Sequence, residues 1–223
     1  MSHAANEFII RDGVFVRDFE GMYRHVEDPW DQQRNCDLDI LTRSSYWFLG
    51  EVLRVRQHKL SHILDLGCGS GHCAEPLLSL GGDAAHYTGI DISETAIIRA
   101  FQHVHEAWPE LTARVHFETG DIRHLNPKLV SKFSLIYCGK TLYYVGLEID
   151  VCVNHIGAYL SDGGLLCYTY NQRDDSFSNR YLTYDILRAK LLDYGFEEKL
   201  FVEMTNTAGD EILVVHICQK EAQ

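Results

Sequence analysis

The stretch Ile63-Leu64-Asp65-Leu66-Gly67-Cys68-Gly69-Ser70-Gly71 constrains the fold more than any other part of the chain. An apolar run interrupted by a single acid passes directly into a bend with glycine at alternate positions. Helix-compatible residues, Cys73 to Leu80, follow at once. A strand that enters such a bend and leaves as a helix brings bare peptide close to a ligand, because glycine has no Cβ. The first amide N–H groups of the helix then face the ligand's polar parts.

The glycine spacing separates two cofactor classes. A dinucleotide fingerprint, G-x-G-x-x-G, places its third glycine three residues after the second. Here Gly67 and Gly69 fit, but His72 stands where that glycine belongs, and the third glycine comes early, at Gly71. The pattern is D-x-G-x-G-x-G.

Alternating elements follow along the chain. Near the N-terminus, Asp12-Gly13 between apolar triplets favours a tight hairpin within an otherwise flexible arm. Asp28-Pro29-Trp30-Asp31 reads as a polar turn with an exposed tryptophan suited to close over a flat or cationic ligand. Helical spacing runs from Leu41 to about Gln57, with Arg43 in its first turns. Strands are expected at His62–Leu66, His86–Ile90, Val115–Glu118, Phe133–Cys138 and Leu165–Tyr170. Helices are expected after Ser93, over Glu148–Leu160 and over Thr183–Tyr194, which Gly195 terminates. The last strands, about Glu197–Met204 and Glu211–Cys218, should pair antiparallel. This alternation means a doubly wound, mainly parallel α/β sheet.

The 223 residues suit one domain, and a formal net charge of −12 argues against a phosphate-backbone partner such as nucleic acid. No apolar run is long enough to span a membrane and no signal peptide opens the chain, so a cytoplasmic protein is expected. The seven cysteines contain no C-x-x-C pair and read as reduced thiols. His103 and His105, two apart on a helix, cannot share a face as ligands, and no metal site is expected.

In such a sheet, ligands gather at the carboxyl ends of the strands where strand order reverses. Successive strand ends offer Asp65 with Leu66, Gly67, Cys68 and Gly69, then Asp91-Ile92, then Asp121-Ile122, then Cys138-Gly139-Lys140. Asp91 can accept from two ribose hydroxyls, and Asp121 from an adenine amine with Ile122 on the ring face. Asp65 can order the loop or receive an ammonium group.

Residues 60 to 220 resemble the class I S-adenosylmethionine-dependent methyltransferases, on Asp65 to Gly71, Asp91-Ile92-Ser93, Gly120-Asp121-Ile122, Leu135-Ile136-Tyr137, Asp162-Gly163-Gly164 and the closing hairpin. Asp28-Pro29-Trp30 and Leu142-Tyr143-Tyr144 are similar to the small-molecule methyltransferases grouped with nodulation protein S. The resemblance implies a Rossmann-like seven-stranded sheet with an antiparallel last strand. It also implies S-adenosylmethionine as cofactor and a small-molecule acceptor, sugar-derived or anionic, methylated at N or O. Residues 1–45 would form a helical lid and 46–223 the cofactor domain, with Trp30 and the lid covering the cofactor. Tyr143 and Tyr144 are candidates for lining the acceptor site, and Lys140 for recognising an anionic group. Gly139-Lys140-Thr141 departs from the family, which carries an acid shortly before Leu-Tyr-Tyr. A non-catalytic nucleotide-binding module and a nicotinamide-dependent oxidoreductase are the competing readings, and the early third glycine speaks against the latter.

Overall fold

The computed structural model describes residues 7–31, 40–173, 182–205 and 211–220. Strands β1 (Ile10–Arg11) and β2 (Val14–Phe15) form the expected hairpin. Asp12 and Gly13 both have positive φ, 52° and 76°, the geometry that makes Asp-Gly a favoured two-residue turn. Helix α1 (Phe19–His25) then corrects the reading of this region as a flexible arm. The local signals for it are present in the sequence. Asp18 caps the helix by accepting from the Gly21 amide, Glu20 lies in the first turn, and Arg24 and His25 lie in the last. A seven-residue helix is marginal alone. Met22 and Tyr23 are buried in a small cluster with Ile9 and Ala96, and each such side chain contributes about 1.5–3 kcal/mol.

Helix α2 (Ile40–Arg56) leads into the main sheet: β3 (His62–Leu66), α3 (Ala74–Gly81), β4 (His86–Asp91), α4 (Glu94–Ala107), β5 (Val115–Thr119), β6 (Phe133–Gly139), α5 (Ile149–Tyr159), β7 (Leu160–Arg173), α6 (Tyr184–Asp193), β8 (Phe196–Thr205) and β9 (Glu211–Lys220). The seven strands lie in the order β5-β4-β3-β6-β7-β9-β8. Pairs from β5 to β7 are parallel, and β9 runs antiparallel between β7 and β8. The order reverses between β3 and β6, so the carboxyl ends of β3, β4 and β6 flank the switch point where sheets of this kind place their ligand crevice. The expected doubly wound sheet is therefore present, with its antiparallel last strand inside the edge.

Alternate residues of the central strands serve two cores. Leu64, Leu66, Ile136 and Cys138 face α5 and α6, with Val153, Ile156, Leu187 and Leu191. Ile63, Leu135, Tyr137 and Cys167 face α2, α3 and α4, with Leu49, Leu53, Leu77 and Val104. This two-sided burial explains the continuous apolar run of β6. Strand β7 starts five residues before the expected Leu165, and Asp162-Gly163-Gly164 lies within it. The pairing slips between Phe133 and Leu135, and Gly163 takes φ +70°. A Cβ on Gly164 would lie 2.9 Å from the carbonyls of Phe133 and Ser161, so these glycines accommodate a bulge rather than end the strand.

On the far side of the sheet, fully buried His216 bonds Tyr168 Oη through Nδ1 at 3.0 Å and lies 3.1 Å from Glu198 Oε2 through Nε2. Burial holds this imidazole down to about 4, outweighing the upward pull of Glu198. A histidine depressed on folding gives stability present above its unfolded value near 6.5 and lost as pH falls toward 4. Urea denaturation should show His216 costing the chain about 2 kcal/mol between pH 7 and pH 5. The His216→Gln chain should lose that much less over the same interval, and equal losses in both chains would refute the assignment.

Candidate active site

The bend after β3 is tied to the end of β4. Gly67 and Cys68 amides both donate to the Ile90 carbonyl, at 2.7 and 3.0 Å. Gly67, Gly69 and Gly71 all have positive φ, 77°, 54° and 79°. Two of them are also required by space. A Cβ on Gly67 would come within 2.4 Å of the Thr141 side chain, and one on Gly71 within 3.0 Å of Ala100 in α4. The early third glycine thus permits close packing of the bend on α4.

Asp91 joins the pieces. Its Oδ2 accepts from the Gly69 amide and its Oδ1 from the Ser93 amide, both at 2.9 Å. Its carbonyl accepts from Gly120 at 2.9 Å, which brings Gly120-Asp121-Ile122 beside it. Ser93 caps α4 through the Ala96 amide. The Ile92 amide also bonds this carboxylate, which with about four lone-pair sites keeps acceptor capacity beyond these three amides. Asp65, one strand over, is buried on the α2 side and accepts from Tyr87 Oη at 2.7 Å.

Both acids lie in low dielectric. Burial raises Asp91 to about 6 despite the amides of Ser93 and Gly69. Burial also raises Asp65 to about 7, the Tyr87 hydroxyl opposing and the Asp91 charge adding. Burying two neighbouring carboxylates is costly unless something positive joins them. Cys68 and Cys138 are wholly buried, and burial pushes both thiols well above their usual range. They serve packing rather than chemistry. Leu66 is likewise core, Ile92 is exposed, and Ile122 is half-buried against the α5–α6 core.

The other expected residues divide. Asp121 is held by Arg123, whose Nη2 and Nε donate to its carboxylate at 2.6 and 3.0 Å. Burial raises this acid, but the Arg123 bonds outweigh it and leave it below the usual range. Arg123 also reaches Glu148, which accepts from Arg17 at 2.7 Å. Trp30 is half-buried, which corrects the exposed reading, and lies against Phe19 and Tyr144 with centroids 6.5 and 5.4 Å apart. Tyr144 also packs on Phe15 and Phe19, so its ring serves as the floor of the N-terminal segment. Tyr143 stacks edge-on to Tyr170 at 5.2 Å. Lys140, half-buried after Gly139, has φ +56° and donates its amide to Thr169. Arg43 is exposed on the first turns of α2.

Glu20 and Arg17 are the site-neighbouring residues that motif reading misses. Glu20 accepts from Ser93 Oγ at 2.6 Å and Thr95 Oγ1 at 2.8 Å, both at the start of α4. Its one available signal was its place behind Asp18 in a capped first turn. Among the described residues, no group of three His, Cys, Asp or Glu side chains is placed to hold a metal, and no helix is long and apolar enough to cross a membrane.

A family model described as a methyltransferase domain matches residues 57–208. The chain belongs to the methyltransferase domain family. Its relatives include trans-aconitate 2-methyltransferase of Delftia acidovorans, 35% identical over 116 residues that cover 52% of this chain and 40% of that one. Ubiquinone biosynthesis O-methyltransferase of Coxiella burnetii is 29% identical over 116 residues, 52% of this chain and 46% of its own length. The match therefore spans less than half the length of these curated relatives. The N-methyltransferase NodS of Bradyrhizobium japonicum, solved with S-adenosyl-L-homocysteine, shares the fold with TM-score 0.67 at 20% identity, over 87% of this chain and 93% of that one.

The methyltransferase domain's buried acids carry a measurable cost. Asp65 is raised on folding, so its contribution is fully present below an unfolded value near 3.9 and lost as pH rises through about 7. Asp65→Asn should therefore stabilise the ligand-free chain at pH 8 by about 1–3 kcal/mol in urea denaturation, the gain shrinking toward pH 4. A destabilised variant at pH 8 would mean that the carboxylate is compensated in the native state.

Proposed function

We propose that the crevice binds S-adenosylmethionine and that the chain transfers its methyl group to a small anionic acceptor at N or O. The observation that carries this reading is the pair of buried, raised carboxylates, Asp65 and Asp91, beside a bend of bare peptide. Such a cleft suits a ligand with positive charge and a vicinal diol. A nicotinamide dinucleotide would instead bring an anionic pyrophosphate to the bend beside Asp65, so charge as well as glycine spacing favours the sulfonium cofactor.

In this reading the remaining lone pairs of Asp91 hold the ribose hydroxyls and Asp65 faces the ammonium. Asp121, with charge supplied locally by Arg123, takes the adenine amine, and Ile122 lies on the ring. The Gly67–Gly69 peptide lines the middle of the ligand, with Ile92 and Gly139 shaping the walls and Leu66, Cys68 and Cys138 packed behind them. Trp30 belongs to the N-terminal segment proposed as the lid, and Arg43 stands near the start of α2. The bound cofactor supplies an electrophilic methyl group, so the protein's task is alignment, a contribution on the order of 7–11 kcal/mol.

Burial raises the Tyr143 phenol to about 12 and the Tyr144 phenol well above its usual range, so neither is a base at neutral pH. An acceptor that is already nucleophilic, a carboxylate oxygen or a neutral amine, needs none. Lys140 supplies a cation at the carboxyl end of β6 for such an acceptor. A relative named for trans-aconitate is consistent with carboxylate chemistry.

Thermal-shift titration should show stabilisation by S-adenosylhomocysteine and none by NAD. The reverse pattern would defeat the reading. Asp91→Ala should weaken S-adenosylhomocysteine by about 1–3 kcal/mol in calorimetry, the scale of a lost buried hydrogen-bond acceptor. Because Asp91 titrates at about 6 and accepts most strongly when ionised, wild-type affinity should fall about tenfold or more between pH 7.5 and pH 5. Asp65 titrates in the same sense, so Asp91→Ala should flatten the profile without abolishing it. A dissociation constant independent of pH in the wild type would remove both carboxylates from the site.

A further inference from the structure

Of the polar contacts between the N-terminal segment and the main domain, one is concentrated on a single carboxylate. Four donors converge on the Glu20 carboxylate: Ser93 Oγ at 2.6 Å, Thr95 Oγ1 at 2.8 Å, the Thr95 amide at 3.2 Å and Arg24 Nε at 2.8 Å. Three of them belong to the first turn of α4 and its cap, where the positive end of the helix dipole favours an anion. The same Ser93 donates its amide to Asp91, so Glu20 and the proposed ribose ligand are joined through one residue.

What α1 carries makes this contact consequential. Tyr23 is three residues after Glu20, on the same helix face, and packs on Ala96 of α4. Its hydroxyl receives the Trp30 indole N–H. Trp30 lies on Tyr144 and thus on the loop after β6. Arg99 of α4 closes the segment by donating to the Val26 and Glu27 carbonyls, at 2.8 and 2.6 Å. Within this segment Glu20 is the residue that fixes α1 to the start of α4 beside Asp91. Burial raises the Glu20 acid, but its donors outweigh that and hold it at about 2, so the contact is charged at any ordinary pH.

We infer that Glu20 is a positioning residue: it pins α1 to α4 and so holds Tyr23 and Trp30 over the ribose end of the crevice, setting how long the cofactor stays. This rests on the crevice being the cofactor site. It goes beyond that reading by assigning cofactor residence to a residue that touches neither cofactor nor acceptor.

The test compares wild type, Glu20→Ala and Glu20→Gln in the full chain. Glu20→Ala should raise the S-adenosylhomocysteine dissociation rate about tenfold or more and raise KM for S-adenosylmethionine, with kcat at saturating cofactor within twofold. Glu20→Gln keeps an acceptor for Ser93 and Thr95 and should fall between. Hydrogen exchange without ligand should accelerate in amides 19–26, while those of β3 and β6 stay as in wild type. An unchanged dissociation rate with unchanged exchange over 19–26 would overturn the inference. So would a uniform rise in exchange through the sheet, or a fall in kcat at unchanged KM. If wild type binds no S-adenosylhomocysteine, the cofactor reading fails, and the exchange arm still decides whether Glu20 pins α1.

Discussion

Asp91 is the contact on which the crevice depends. One carboxylate takes the amide of Gly69 in the bend after β3 and the amide of Ser93 at the cap of α4, while its carbonyl takes Gly120 beyond β5. Three strand ends are thereby brought to register by one residue. Hydrogen bonds to a buried charge are worth more than neutral ones, and an unmatched buried charge costs more than either. The bend, the α4 cap and the β5 end are therefore coupled: displacing any one leaves the same acid short of a donor.

The glycines follow from this arrangement. The Gly69 amide can point at Asp91 only from a left-handed backbone, and Gly67 and Gly71 return the chain to the start of α3 across Thr141 and Ala100 with no room for a side chain. Each has a separate physical reason, which is why the motif is more specific than a tight turn. Cys68 fills the interior of the bend as a small hydrophobe, and its thiol is too deeply buried to ionise.

The strand–helix alternation and the acids at successive strand ends were readable because periodicity, glycine spacing and cap residues act locally. Asp12-Gly13, Ser93 and Gly195 did what their chemistry dictates. The failures share one cause. Helix α1 exists because Met22, Tyr23 and Glu20 find partners some seventy residues along, on α4, and no local window contains Ala96 or Thr95. Trp30 looked exposed beside Asp28 and Asp31, yet Phe19 and Tyr144 bury much of it. Asp162-Gly163-Gly164 has turn composition, but pairing with β6 draws it into β7 as a bulge. Arg123 was unremarkable until folding set it against Asp121, Glu148 and, through Glu148, Arg17.

The charge balance of the crevice bears on turnover as well as on binding. A chain of net charge −12 has little reason to bury two adjacent acids unless a cation visits them. On the proposed function, Asp65 and Asp91 distinguish cofactor from product by charge, since methyl transfer leaves a neutral sulfur where a sulfonium had been. The ammonium and the ribose remain to be held, so the product still binds, but one Coulombic partner of the carboxylates is gone. At an effective dielectric near 20, a unit charge about 8 Å away is worth roughly 2 kcal/mol, more than a tenfold difference in affinity. The acids that make the free fold less stable thus also favour release of the spent cofactor. The lid contact at Glu20 acts on the same step from the opposite direction, slowing exit of either form alike. Residence is then set by two opposed terms, one a fixed mechanical closure and the other a loss of attraction that the reaction itself brings about.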